Sequence, residues 1–178
     1  MATVIVNRLT GTTPDKTNIT DINTVIEASD AHTTGGGGNP VLAPESGANN
    51  SFWASFRLEV TANASGNTIN NMKWYTDGTN SFGTGIEMQV ALASAYAQAS
   101  GTVGTAGSAL SANTHLITSP TGAFVYTAAS PLDINNTVTG TTATGEIGDY
   151  VVNQFQISSV AGAGSSETET WSYQYDQA

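Results

Sequence analysis

The alternation of apolar and polar side chains predicts a chain built from β-strands. It is most regular in residues 51–63, where every second residue is apolar: Phe52, Ala54, Phe56, Leu58, Val60 and Ala62. A period of two is typical of a strand with one buried face and one face toward solvent. At about 3.3 Å per residue this segment would span roughly 43 Å, so we expect a bend or a bulge within it.

Shorter stretches of the same kind predict further strands at residues 4–6, 69–76, 86–92, 115–117, 124–126, 150–158 and 168–175. Segment 86–92 runs on into good helix formers that would end at Gly101, but its alternation favours a strand. The linker 161–166, rich in small residues, predicts a hairpin between the last two strands. About eight strands without βαβ alternation predict an all-β fold, an antiparallel β-sandwich of jelly-roll or immunoglobulin-like type.

The first fifty residues differ from the rest of the chain. After the first strand they contain few large apolar side chains, and residues 35–38 are four consecutive glycines, which the interior of a strand or helix would not tolerate. Such a long structureless stretch is unusual inside a compact domain. We therefore predict an N-terminal strand plus an extended Gly-rich arm or loop in residues 1–50, and a sandwich body in residues 51–178. An arm that grips a neighbour and a loop that packs on the body both fit.

Composition places the chain among single-domain globular proteins. Its 178 residues include 3 Trp, 6 Tyr and 5 Phe, enough large apolar area to argue against disorder although only 39% of residues are hydrophobic. With no cysteine, neither a disulfide framework nor a thiolate metal site is expected. The first residues lack the basic start and apolar run of a signal peptide, and no apolar run is long enough to cross a membrane.

Charge narrows the choice of partners. Fourteen acidic residues against four basic ones leave a formal net charge of −10. The basic residues are scattered along the sequence and cannot follow a line of phosphates: Arg8, Lys16, Arg57 and Lys73. Nucleic acid and membranes are therefore not expected as partners.

The sequence contains no pattern that predicts catalysis, a metal ion or a cofactor. His32 and His115 are far apart in sequence and have no ligand partners at a workable spacing. The segment Asp77-Gly78-Thr79-Asn80 predicts a turn and lacks the ligand spacing of an EF-hand, which leaves weak calcium binding open. The carboxylates that could supply a glycosidase pair are dispersed: Glu59, Glu87, Asp149, Glu167 and Glu169. We expect a protein that is not an enzyme.

Aromatic side chains are the remaining candidates for a binding surface. Trp53 falls on the polar face of the strand in residues 51–63, where a second layer, a partner subunit or a sugar ring would have to cover it. Trp74 and Tyr75 are adjacent and could form a stacking platform. At the C-terminus a period of two places three aromatic residues on one face, for which core packing is the favoured interpretation: Trp171, Tyr173 and Tyr175. These six residues form the candidate interface.

Four segments resemble small β-rich virion proteins encoded by tailed bacteriophages. They are Phe52-Trp53-Ala54-Ser55-Phe56-Arg57-Leu58, the turn Lys73-Trp74-Tyr75-Thr76-Asp77-Gly78, Tyr150-Val151-Val152-Asn153-Gln154-Phe155 and Glu169-Thr170-Trp171-Ser172-Tyr173-Gln174-Tyr175-Asp176. The resemblance covers roughly residue 51 to the C-terminus and consists of the type of segment and the order of the segments along the chain. It contains no diagnostic motif, so no functional residue is carried over from that group. It implies a capsid decoration or cement protein that clasps capsid subunits.

Two functions follow as expectations. The first is a non-enzymatic structural protein on the capsid surface of a virion, assembled in the host cytoplasm without a signal peptide. Its partners would be the major capsid protein or other virion subunits, and it would form a homo-oligomer, with a trimer favoured. The second is a carbohydrate-binding or host-adhesin module of a tail or fibre, which would use Trp53 or the Trp74/Tyr75 pair against a sugar.

Overall fold

The computed structural model describes residues 1–35, 38–63, 67–110, 115–134, 138–139, 144–164 and 167–178. These residues form an all-β protein with two antiparallel sheets, which confirms the coarse fold prediction and is consistent with a β-sandwich. No helix in these ranges is long and apolar enough to cross a membrane.

The larger sheet contains nine strands of the described chain. They are β1 (Thr3–Thr10), β2 (Asp15–Asn18), β3 (Ala48–Asn50), β4 (Ala54–Ala62), β6 (Ile86–Ala93), β7 (Gly101–Thr102), β8 (Ala106–Gly107), β9 (Thr121–Gly122) and β12 (Gly145–Ser158). Strand β12 is the longest, with 14 residues, and lies in the centre. It pairs with β4 and β3 along one side and with β6 along the other, while β1 and then β2 continue the sheet beyond β4.

The smaller sheet is organised around one central strand. Its members are β5 (Thr68–Thr76), β10 (Leu132–Asp133), β11 (Val138–Thr139) and β13 (Trp171–Gln177). Trp74 of β5 is in register with Leu132 of β10 and also with Tyr173 of β13. One strand residue can be flanked by only two neighbours, so β10 and β13 lie on opposite sides of β5. Strand β13 therefore forms one edge of this sheet.

The main core lies between the two sheets. The larger sheet contributes the alternate residues of β4, β6 and β12, and the smaller sheet contributes those of β5 and its neighbour: Leu58, Val60, Met88, Val90, Leu92, Ile147, Val151, Ile69, Met72, Trp74 and Leu132. All of them are at most 7% exposed. The strand predicted in residues 86–92 is confirmed by β6, whose alternate residues point into this core.

Residues 19–35 and 38–42 pack on the body of the fold. Ala28 is fully buried, and its amide donates to the carbonyl of Asn39 while its own carbonyl accepts from the amide of Gly104. The amide of Phe52 donates to the carbonyl of Glu27. Of the two alternatives that the sequence leaves open, the described residues therefore adopt the packed loop. The middle of the tetraglycine segment, residues 36–37, lies outside the described residues.

The expected irregularity occurs in the long strand itself and again in its partner β12. Between Thr3 and Val4 the pairing of β1 with β4 shifts, because β1 advances by one residue while β4 advances by two, from Ala62 to Val60. Strand β4 begins at Ala54, later than the pattern predicts, and the register between β12 and β4 shifts between Ile147 and Val151. Over this interval β12 advances by four residues (151 − 147) while β4 advances by two, from Leu58 to Phe56. The extra residues include Gly148, whose positive φ of 71° favours glycine.

Three local predictions were wrong. Residues 124–126 contribute to a 3-10 helix, Ala123–Val125, in place of a strand, and residues 115–117 form only an isolated bridge at Leu116. The last two strands form no hairpin, because β12 belongs to the larger sheet and β13 to the smaller one. The linker 161–166, of which residues 165–166 lie outside the described residues, therefore joins two different sheets.

Candidate interaction surface

Trp53 belongs to the protein interior. It is 6% exposed, and its indole Nε1 donates to the carbonyl oxygen of Ala97 at 3.1 Å. It packs in a second apolar cluster on the side of the larger sheet that faces away from the smaller one, with Leu9, Tyr150 and Val152. The polar face of β4 is thus covered at this end by the chain's own loops. The interpretation of Trp53 as an interface residue is corrected, because the second layer that covers it comes from the same chain.

The adjacent aromatics Trp74 and Tyr75 cannot form an exposed stacking pair. Successive residues of a strand point to opposite faces, and Trp74 is fully buried in the main core, with its ring 6.4 Å from that of Tyr126 in an edge-on arrangement. Tyr75 points to the outer face of the smaller sheet and is half-buried. Of the predicted pair, only Tyr75 remains accessible.

The C-terminal aromatic stripe packs against the core, as the favoured interpretation predicts. Trp171, Tyr173 and Tyr175 are each partly buried against the main cluster, and the ring of Trp171 meets that of Phe56 edge-on at 5.6 Å. The hydroxyl of Tyr173 is buried without a hydrogen-bond partner in the described part of the chain. Burial raises the pKa of Tyr173 well above its ordinary value. The three aromatic rings therefore anchor β13 through its inward face, and the polar residues of that strand face outward.

A shallow groove lies beside Tyr75 on the outer face of the smaller sheet. It has a volume of about 360 Å³ and is lined by the Asp77 turn, by residues 127–129, and by Thr170 and Ser172. The carboxylate of Asp77 accepts a hydrogen bond from the amide of Thr79 at 2.8 Å, which confirms the predicted turn. The lining combines one aromatic ring, two alanines, several hydroxyls and one carboxylate.

The charged residues of the larger sheet form an ion-pair network on its outer face. Lys16 contacts Glu146 at 2.8 Å and Glu59 at 3.5 Å, and Arg57 contacts Glu146 at 2.7 Å. The guanidinium of Arg57 also donates to the hydroxyl of Tyr150 at 2.8 Å and lies 4.4 Å from the centre of its ring. The hydrogen bond to Glu146 raises the pKa of Lys16 against the opposing effect of burial, and the charges of Glu146 and Glu59 add to the rise.

The network contains a pair of carboxylates that strand pairing brings together. Glu59 and Glu146 are directly opposite each other in the β4–β12 register, and both are bound by Lys16. The sequence analysis names Glu59 as a candidate for a carboxylate pair but not Glu146. The two residues lie 87 positions apart in sequence (146 − 59), and only the pairing of β4 with β12 brings them together. Asp149 lies nearby, and burial raises its pKa against the opposing effect of Arg57.

Arg8 is a buried cation that sequence reasoning missed. It is 2% exposed, and its guanidinium donates to the carbonyl of Val25 and, at 2.6 Å, to the hydroxyl of Thr24, which also contacts His32 at 3.2 Å. Burial lowers the pKa of Arg8, and the nearby carboxylates of Glu27 and Asp30 oppose that shift. The sequence does contain a signal for the burial of Arg8, because the alternation in β1 places it on the same inward face as Val4 and Val6. This arrangement fixes the loop after β2 to the sheet.

The histidines take no part in a metal centre within the described ranges. His32 is half-buried beside Thr24, and burial, followed by the charge of Arg8, lowers its pKa. The carbonyl of His115 accepts a hydrogen bond from the amide of Ser94. No group of three or more His, Cys, Asp or Glu side chains that could hold a metal ion occurs among these residues.

Comparison with known proteins adds no relative. Neither a protein-family model, nor a curated protein, nor a solved structure matches this chain.

Proposed function

We propose that this chain is a non-enzymatic structural protein of a tailed-phage virion, which decorates the capsid and stabilises it by binding between capsid subunits. It acts as a homo-oligomer, with a trimer favoured, on the capsid surface after assembly in the host cytoplasm. Its partners are the major capsid protein or other virion subunits. Its two sheets have a jelly-roll or immunoglobulin-like topology.

The observation that carries this proposal is a pair of packed antiparallel sheets whose strand β13 pairs on one side only among the described residues, together with a sequence rich in carboxylates. Each of the four basic side chains is engaged within the chain: Lys16 and Arg57 in the outer network, Lys73 with Asp133, and Arg8 inside the fold. The net charge of the surface is therefore negative, which opposes nonspecific association in solution. Such a protein can bind at many equivalent positions on a capsid. A single contact of micromolar strength, about 8 kcal/mol, becomes durable when the bound copies of the chain are also linked to one another.

Co-sedimentation with empty capsids of the virus that carries the gene tests this function. The purified chain is mixed with capsids at increasing concentration, and the bound fraction is measured after centrifugation. We expect saturable binding at a fixed ratio of chain to capsid subunit. A chain that stays in the supernatant at every concentration would contradict the proposal.

The groove beside Tyr75 favours one second candidate, a carbohydrate-binding or host-adhesin module of a tail or fibre. An aromatic ring and a carboxylate within one groove can bind the apolar face and the hydroxyls of a sugar ring. In this case the chain would ignore capsids but would be retained on a surface of immobilised host glycans. Tyr75→Ala would abolish that retention, whereas Tyr126→Ala, a change in the core-facing aromatic next to Trp74, would act only through stability.

A further inference from the structure

We propose that the outer edge of β13 binds an extended, lysine- or arginine-bearing segment of the partner protein, which adds a strand to the smaller sheet. The inference rests on the proposed assembly role and names the chemistry of the segment that the partner contributes. Strand addition uses main-chain hydrogen bonds for affinity and alternate side chains for specificity.

The outer edge of β13 has no strand partner among the described residues. Within the described residues, its strand pairing is with β5 alone, and the backbone bonds between Ala178 and Thr68 extend that same pairing. In an edge strand, alternate N–H and C=O groups point away from the sheet and need another partner. The seven residues from Trp171 to Gln177 offer a template of roughly 23 Å.

The strand carries few of the features that prevent pairing with another chain. Edge strands are commonly protected by lysine, proline or a bulge. The sequence WSYQYDQ contains neither lysine nor proline, and its one irregularity is the register shift between Gln174 and Asp176. The first four residues of β13 pair regularly with β5.

Core packing holds this template in place before any partner arrives. The rings of Trp171 and Tyr173 pack between the sheets, against the core and against a smaller cluster that contains Ile19 and Phe56. A strand fixed in this way loses little conformational freedom when it binds, which favours affinity. The outward positions, Ser172, Gln174 and Asp176, alternate with these anchors.

Charge identifies the occupant as a basic segment. Glu167 and Glu169 precede β13 and Asp176 lies within it, and none of them forms an ion pair with a described residue. Glu169 accepts a hydrogen bond from the amide of Ser81, and Asp176 accepts one from the side-chain amide of Asn71, but both partners are neutral and leave the two negative charges in place. Lys73 lies opposite Gln174 on the neighbouring strand, but its ammonium pairs with Asp133 on the far side of β5. The other three basic side chains are engaged outside the smaller sheet. A second copy would bring its own formal charge of −10 to the same edge, which disfavours self-pairing. A segment with lysine or arginine at alternate positions complements it.

A peptide titration tests the inference. The probe is a short synthetic peptide in which lysine alternates with threonine and valine, and the control is the same peptide with glutamate in place of lysine. Hydrogen exchange of the backbone amides is followed by NMR. With the lysine peptide at ten times its Kd, alternate amides of β13 should exchange about tenfold more slowly, whereas the glutamate peptide should leave them unchanged. Unchanged exchange with the lysine peptide, or equal protection by both peptides, would overturn the proposal.

Two matched neutralisations locate the site. Asp176→Asn should weaken binding of the lysine peptide about two- to five-fold, the range expected for an exposed charge pair. Glu87→Gln removes the same charge from the exposed outer face of the larger sheet and should leave the Kd unchanged. Equal effects of the two changes would show general attraction to an acidic protein and would refute a site at β13.

Failure of this inference can be told apart from failure of the proposed function. If the chain binds capsids while the β13 amides stay unprotected in the capsid-bound state, the assembly role holds and the strand-addition site is wrong. A concentration-dependent rise in mass of the chain alone, accompanied by protection of β13, would identify a second copy as the occupant and would also overturn the proposal.

Discussion

Replacement of Trp53 by alanine separates an interior role from a binding role for this side chain. The change removes a side chain that is 6% exposed and leaves a cavity between Leu9, Tyr150 and Val152. It also removes the donor to the carbonyl of Ala97. Core Trp→Ala changes cost about 3–5 kcal/mol, which includes the lost transfer free energy and the cavity. For a chain of this length, that loss lowers Tm by roughly 6 to 20 °C.

The free energy of unfolding is measured by urea titration with circular dichroism, which does not depend on the deleted fluorophore. Trp53→Phe should cost less, about 1–2 kcal/mol, because a ring still fills much of the site while the bond to Ala97 is lost. Tyr75→Ala, on the outer face of the other sheet, serves as the control and should cost about 1 kcal/mol or less. A loss below about 1 kcal/mol for Trp53→Ala would refute the assignment of this residue to the interior.

Three further outcomes are expected. Gly107→Ala should destabilise by about 2 kcal/mol or more in urea titrations, because the new Cβ would overlap the backbone carbonyl of Ser51, whereas Gly122→Ala meets no atom within 4 Å and serves as the control. Tyr173→Phe should leave the free energy of unfolding unchanged or raise it by about 1 kcal/mol, because it removes a buried hydroxyl without a partner; a loss above about 1 kcal/mol would mean that the hydroxyl is bonded. His32 has a lowered pKa in the folded chain, so the unfolded chain binds its proton more readily and stability should fall as the pH is lowered from about 7.5 through the ordinary histidine value of about 6.5. His32→Gln should reduce this slope in thermal melts, and an unchanged slope would assign it to other groups.

Strand alternation predicted β4 and β6, the two long strands that flank the centre of the larger sheet, well. In β4 and β6 the period of two continues over eight or nine residues, and a face that is buried along its whole length leaves a clear pattern. Residues 124–126 offered only three apolar or aromatic residues after Pro120-Thr121-Gly122, too few to distinguish a strand from the 3-10 turn that forms there. Pattern length therefore decided which elements could be predicted.

The pattern of apolar and polar residues did not reveal which strands pair with one another. The small residues of the linker 161–166 favour a tight connection between the last two strands. The local sequence contains no signal that β13 pairs instead with β5, which lies roughly one hundred positions earlier in the chain. The same limit applies to Glu146 beside Glu59. Both contacts are created by long-range pairing, which leaves no periodic signal in either segment.

The error at Trp53 has a related cause. Alternation assigns a residue to a face of its strand, but it does not say whether a loop from a distant part of the chain covers that face. Here the loop around Ala97 and the segment around Ala28 provide the cover. Arg8 shows the converse case, because its inward position was visible in the pattern of β1 while its partners, Thr24 and Val25, lie in a segment without periodicity.

Electron cryomicroscopy of capsids saturated with the chain tests whether it decorates the capsid. We expect ordered density at symmetry-related positions over the boundaries between capsid subunits, with copies of the chain in contact with one another. Density confined to the tail or fibres, or capsids that remain bare at saturating concentration, would contradict this expectation.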